Sequence, residues 1–96
     1  MPTIQEFLEP KAKGFISFIE SHNPDDAIRE KLKEYTPEKI IPTITLYIVP
    51  AHSVGGIPTL ANEIVNHLTP LSPRDEVVKR IERYLNCFAE AITSSS

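Results

Sequence analysis

The chain is poor in cysteine, glycine and tryptophan: its 96 residues include one cysteine, three glycines and no tryptophan. The cysteine, Cys87, has no second thiol in the chain with which to form a disulfide. The disulfide frameworks of small secreted domains are therefore excluded, and we expect a reducing, cytoplasmic location. The formal net charge of −3 also argues against a protein whose whole surface binds nucleic acid or anionic membranes.

A continuous hydrophobic run is absent as well. The longest uncharged stretch, Ile40 to Asn62, has enough residues to cross a bilayer, but Pro42, Pro50 and Pro58 interrupt it. The N-terminal residues lack the basic start and the apolar stretch of a signal peptide. We therefore interpret the uncharged stretch as the buried middle of a soluble domain, and we expect no membrane segment.

The overall composition is that of a globular protein. Hydrophobic residues make up 41% of the chain and charged residues 24%, which is typical of a folded domain. The length suits one domain rather than two. We predict a single helical domain over residues 1–92, followed by a disordered polar tail over residues 93–96.

Proline is abundant, with nine residues, and its positions indicate helix starts. Proline suits the first position of a helix, because it has no N–H to donate and its φ is already near the helical value. A residue able to cap the first turn directly precedes proline at three places: Asn23-Pro24, Thr36-Pro37 and Ser72-Pro73. We predict a helix at each of them, and another behind the capping box of Thr3 and Glu6.

The other prolines divide into starts and interruptions. Pro42 and Pro58 each follow an isoleucine in two similar Ile-Pro-Thr segments, and both are predicted to begin helices. Pro50 is predicted to end one. Pro10 lies within the apolar stripe of the first helix, where it removes a hydrogen bond, so we expect a kink or a break into two helices.

Apolar residues recur at helical spacing through most of the chain, and the predicted fold is all-α: a small bundle of four to six short helices with a long C-terminal amphipathic helix. One segment is ambiguous. Residues 43–49 alternate and are rich in β-branched residues, which favours a strand, whereas Ile41, Ile44 and Ile48 share one helical face. Because the chain offers no second strand for pairing, we favour a short buried helix and keep a single strand near residues 43–49 as the alternative.

No group of residues in the sequence supports catalysis. Cys87 has no activating base nearby in the sequence, and His22, His52 and His67 lack the spacing of metal ligands. The adjacent pair of His52 and Ser53 lies in a predicted loop without an acid beside it. We therefore expect a protein that is not an enzyme and that needs no metal or cofactor.

The C-terminal stripe is the first candidate for a binding site. Its residues repeat at alternating spacings of three and four, as in a coiled-coil seam: Val78, Ile81, Leu85, Phe88 and Ile92. One interpretation is that the stripe packs on the domain's own core. Yet so short a chain buries only about 60–68% of its unfolded surface, which leaves apolar faces for a partner. We therefore predict a protein–protein interaction or regulatory module that associates with itself.

The second candidate is a helix-turn-helix that binds DNA through the helix from Pro73 to Asn86. The outer face of that helix carries four basic residues: Arg74, Lys79, Arg80 and Arg83. Two features count against it. The turn is longer than the 3–4 residues typical of the motif, and Asp75, Glu76 and Glu82 on the same helix would repel phosphates. A solvated, salt-bridged helix surface is the alternative interpretation, and a nucleic-acid partner is the less favoured one.

Overall fold

The computed structural model describes residues 3–95, and within that range the protein is a bundle of five helices without a strand. The predicted all-α fold and its long C-terminal helix are confirmed. Residues 43–49 are helical, so the strand alternative is wrong there. The helices are α1 (Ile4–Glu20), α2 (Asp26–Leu32), α3 (Ile40–Ser53), α4 (Ile57–Val65) and α5 (Arg74–Ser95), with a short 3₁₀ turn, Lys33–Tyr35, directly after α2.

Helix α1 runs through Pro10 without ending, so the predicted break into two helices is wrong. Proline in a helix interior costs about 3 kcal/mol. The continuous helix offsets that cost by burying one apolar stripe along its whole length: Leu8, Ala12, Phe15 and Ile19. Pro10 itself is exposed, and its ring therefore displaces no core side chain.

Helix α3 contains two prolines and changes its hydrogen-bonding pattern between them. Pro42 lies in the first turn, where a missing N–H leaves no helical bond unmade. Pro50, which was predicted to end a helix, lies inside α3 and has no N–H for the carbonyl of Leu46. The turn before it, Ile44–Ile48, is a π-helix, and the N–H of Val49 donates to the carbonyl of Ile44. The wider turn accommodates Pro50 and lets the helix continue.

The predicted caps are confirmed in part. The Thr3 side chain accepts from the N–H of Glu6 at 3.1 Å, as expected of a capping box. Helix α2, however, is capped by Asp25 rather than by Asn23. Asn23 has a φ of +51°, a left-handed conformation that asparagine tolerates and that turns the chain away from α1. Helix α3 begins at Ile40, three residues after the predicted start at Pro37.

Helices α3 and α4 meet at a sharp bend of 120°. Gly55 has a φ of +72°, and the N–H of Gly56 donates to the carbonyl of Ala51 at 2.7 Å. Pro58 lies in the first turn of α4, which confirms the predicted start. In the described part of the chain no single helix is long and apolar enough to cross a membrane, and α3 and α4 reach that length and composition only as a bent pair.

Helix α5 provides the centre of the core and packs against α1, α3 and α4. Phe88 is fully buried and meets Phe15 of α1 edge to face, with 5.7 Å between the ring centroids. Tyr84 lies against the same Phe15 ring at 5.5 Å. The helix also continues through Thr93 to Ser95, into the segment predicted to be a disordered tail, while Ser96 lies outside the described residues.

Two connecting loops that are distant in sequence are joined by hydrogen bonds, and we call this contact the loop clip. The N–H of Thr69 donates to the carbonyl of His22 at 2.7 Å, and the N–H of Asp25 donates to the carbonyl of His67 at 3.0 Å. The His67 Nδ1 also lies 2.6 Å from the Asp25 Oδ2. The loop after α1 is thereby held to the loop after α4.

Candidate functional site

A cleft of about 160 Å³ opens between α2, α3 and α4. Charged and polar groups, among them Lys31, Glu34, Glu63 and His67, line its edges, while its apolar wall consists of Ile28, Tyr35, Ile48, Leu60 and Ile64. A smaller recess of about 30 Å³ shares part of this wall and extends toward α1. An engineered apolar cavity of about 150 Å³ holds a benzene molecule. The cleft therefore has room for one large apolar side chain.

The irregular part of α3 forms one side of this cleft. Ile48 and Thr43, at either end of the π-helical turn, are buried and line the cleft. The Thr43 hydroxyl donates to the carbonyl of Glu34 at 3.1 Å, which ties α3 to the 3₁₀ turn after α2. Single π-helical turns occur frequently at functional sites, because they redirect side chains that a regular helix would place elsewhere.

Large apolar side chains are exposed beside the cleft. Leu46 is 66% exposed and Tyr47 is 55% exposed, although both belong to the uncharged stretch that was predicted to be buried. The Lys31 Nζ of α2 lies 5.6 Å from the centre of the Tyr47 ring, within the range of a cation–π contact. We call the exposed, uncharged side of the helix the α3 face: Pro42, Thr45, Leu46, Tyr47 and Pro50.

Two ionisable groups at the cleft have shifted pKa values. Burial, with a smaller effect of the Glu34 carboxylate, raises the pKa of Tyr35 to about 12. Its phenol is therefore neutral at physiological pH. The hydrogen bond to His67, together with the bond accepted from the N–H of Ile28, lowers the pKa of Asp25. The Asp25 carboxylate is thus held in the loop clip against His67, which lines the cleft.

The predicted interface stripe on α5 lies inside the domain. Val78, Ile81, Leu85 and Phe88 are buried, and Ile92 is partly buried against the same core. These residues stabilise the fold and do not offer a surface to a second chain. Two neighbouring apolar side chains of α3, Leu46 and Tyr47, are exposed instead, although this helix was predicted to be buried. The sequence signal for them is the absence of charge from Ile40 to Asn62. Phe7, Val54 and Leu71 are exposed singly on other elements.

The four basic residues of α5 are not equivalent in the structure. Arg74 donates to the Asn66 Oδ1 at 2.7 Å and to the carbonyl of Asn62 at 3.3 Å, so it holds α4 against α5. Lys79, Arg80 and Arg83 line an open groove elsewhere on the helix. The connection between the two helices spans residues 66–73, longer than the 3–4 residues of a helix-turn-helix.

The cysteine and the histidines lie apart. Cys87 is half-buried on α5, and His52 lies in the last turn of α3. His22 is buried, and its Nδ1 lies 2.7 Å from the carbonyl of Phe18, a contact that holds the end of α1. Within residues 3–95 no three histidine, cysteine, aspartate or glutamate side chains are grouped so that they can hold a metal ion.

Comparison with known proteins adds no relative: no family model, no curated protein and no solved structure matches this chain.

Proposed function

We propose that the protein is a non-enzymatic protein–protein interaction module that associates with a second copy of itself through the α3 face and the adjoining cleft. The observation that supports this most directly is the exposure of Leu46 and Tyr47 next to an apolar recess. Contiguous exposed apolar surface on a soluble domain commonly marks a site of association.

The neutral character of the α3 face favours a second copy as the partner. In a dimer with two-fold symmetry the same patch of both copies forms the interface, so a patch with a net charge faces an equal net charge of the same sign. The α3 face has no charged residue, although the protein carries a net charge of −3. Pairing through this face therefore avoids the repulsion that the rest of the surface would impose.

The arrangement of protrusion and recess also fits a symmetric dimer. Leu46 protrudes from α3, and its neighbour Tyr47 borders the cleft. When two copies meet along this face, the Leu46 side chain of each is available to fill the cleft of the other. The Leu46 side chains of both copies are thereby buried, and burial of one such side chain contributes about 1.5–3 kcal/mol.

The test is the concentration dependence of the molar mass, measured by sedimentation equilibrium. We expect the wild-type protein to approach a dimer at high concentration and Leu46→Asp to remain a monomer, because a carboxylate cannot enter the apolar cleft without a large desolvation cost. Leu71→Asp is the matched control, since Leu71 is another exposed leucine, 72% exposed, on a different element. A wild-type protein that stays monomeric throughout, or a Leu46→Asp variant that dimerises normally, would contradict the proposal.

DNA binding by a helix-turn-helix has less support from the geometry. Arg74 is engaged with α4, and the connection over residues 66–73 is long for the motif. The three remaining basic residues share one groove, which is a local feature rather than an extended basic surface. Duplex DNA binding is therefore one outcome of the experiment that tests this groove.

A further inference from the structure

An open groove of about 310 Å³ lies between the C-terminal part of α1 and the first half of α5. Three basic side chains line it, those of Lys79, Arg80 and Arg83, and Phe18 and Val77 provide apolar contacts. Glu76 is a further lining residue and an acidic one. The groove combines positive charge with apolar surface and does not overlap the α3 face.

The three basic side chains form no ion pair among the described residues. Within residues 3–95, none of them lies within 4.0 Å of a carboxylate oxygen, and the ion pairs formed there are those of Lys13, Lys33 and His67. Unpaired basic groups gathered in one groove are available to an anionic ligand.

Arg80 is held in place by aromatic rings. Its guanidinium carbon lies 5.6 Å from the centre of the Phe18 ring and 5.9 Å from that of Tyr84. Within residues 3–95 Arg80 forms no hydrogen bond or ion pair, so its N–H groups are available to a ligand. Those N–H groups form the fork that binds a carboxylate through two parallel hydrogen bonds. Arg80 is therefore positioned in advance, at a low entropic cost, to receive one.

We propose that this groove binds an acidic peptide segment of a partner protein, with two carboxylates on the basic side chains and an apolar side chain against Phe18. Lys79 and Arg83 are four residues apart on α5, which places them about 6 Å apart along the helix axis at about 1.5 Å per residue. Acidic residues at alternate positions of an extended peptide project from one side about 6.6 Å apart, at about 3.3 Å per residue. The two spacings match.

The acidic residues of α5 favour a short peptide over a nucleic acid. Glu76 lines the groove itself, and Asp75 and Glu82 are also on this helix. A duplex presents a continuous row of phosphates, some of which would approach these carboxylates. A peptide with two acidic residues can engage the turn from Lys79 to Arg83 and place a neutral or basic residue opposite Glu76.

The experiment measures binding of a fluorescein-labelled peptide, Gly-Leu-Ser-Asp-Ser-Asp-Gly, to the full chain by fluorescence anisotropy at low salt; its leucine and both aspartates lie at alternate positions and so project from one side of an extended chain. A control peptide, the asparagine twin, has asparagine in place of both aspartates and therefore has the same shape without the charge. We expect the acidic peptide to bind and the twin to bind more weakly, by up to about ten-fold, because the asparagine amides lose the charge-assisted hydrogen bonds of the carboxylates.

Variants locate the site. Arg83→Gln should weaken binding of the acidic peptide by about ten-fold, and because Arg83 is exposed the fold should be unaffected. Arg80→Lys keeps the charge but loses the fork, and it should also bind more weakly. Arg29→Ala removes an exposed arginine from α2 and is the matched control, for which no change is expected.

Three results would overturn the proposal: no binding of the acidic peptide at low salt, equal binding of the asparagine twin, or loss of affinity in Arg29→Ala as large as in Arg83→Gln. Tighter binding of a short duplex DNA than of the peptide, with a steep dependence on salt, would assign the groove to nucleic acid instead. None of these results bears on dimerisation through the α3 face, which the sedimentation experiment tests separately.

Discussion

Phe88→Ala distinguishes a core role of the C-terminal stripe from an interface role. The Phe88 side chain is fully buried in the monomer and lies edge to face against Phe15 at 5.7 Å. Truncation of a buried phenylalanine to alanine costs about 3–5 kcal/mol, the sum of lost apolar burial and a residual cavity. Since domains of this size are stable by about 5–15 kcal/mol, the variant should lose a large part of its stability.

Urea unfolding followed by circular dichroism measures this effect. With a dependence of about 2 kcal/mol per molar urea, a loss of about 4 kcal/mol lowers the midpoint by about 2 M. The experiment is performed at several protein concentrations, so that a contribution from dimerisation appears as a shift of the wild-type midpoint. Leu71→Ala is the control, since an exposed side chain outside special features changes stability by no more than about 0.5 kcal/mol.

One result would assign Phe88 to an interface between two copies and not to the core. If Phe88→Ala keeps the wild-type urea midpoint but no longer forms dimers, the stripe is an interface and the described packing of α5 against α1 is incorrect. If both the midpoint and the dimer are lost, Leu46→Asp separates the two effects, because Leu46 is 66% exposed and its substitution leaves the core intact.

Two further predictions concern the cleft and its border. Because hydrogen bonds lower the folded-state pKa of Asp25 below its ordinary value of 3.8, its contribution to stability is complete above about pH 4 and is lost as the pH falls through the folded-state value. Thermal melts should therefore show a weaker loss of stability on acidification in Asp25→Asn than in wild type, and parallel curves would contradict this. Thr43→Val removes the hydroxyl bonded to Glu34 and should lower the free energy of unfolding, measured in urea, by about 1 kcal/mol. Thr43→Ser keeps the hydroxyl and should lower it clearly less. Equal losses of stability in the two variants would assign the effect to packing.

Much of the fold follows from local patterns. The stripe of α5 and the capping box at Thr3 were predicted correctly, since both depend on residues within one or two turns of each other. The cap of α2 was predicted wrongly, as Asn23 instead of Asp25. Asn23 and Asp25 are both good capping residues. Asp25 caps the helix, and its carboxylate also binds His67 in a distant loop. A cap supported by such a long-range contact cannot be predicted from the few residues around the start of the helix.

The candidate site was harder to predict for a related reason. As a helix, the segment places Ile44 and Ile48 on one face without Leu46, whereas as a strand it places all three on one face. The pattern alone therefore did not decide whether Leu46 is buried. The π-helical turn ahead of Pro50 sets the helix rotation that buries the two isoleucines and exposes Leu46 and Tyr47. Likewise, the pattern of the C-terminal stripe is the same whether it packs on its own domain or on a partner, and only the positions of α1, α3 and α4 show that the site is internal.

The loop clip makes the connections of this bundle unequal in their tolerance of added residues. Surface loops usually accept insertions because little else depends on their course. Here Thr69 and Asp25 each donate a backbone hydrogen bond to the opposite loop, so an inserted residue on either side would displace the donor and separate α1 from the end of α4. The turn after α3, where Val54 is 82% exposed, is the better place to lengthen the chain, because its backbone hydrogen bonds join residues 50–56 to one another and not to a distant loop.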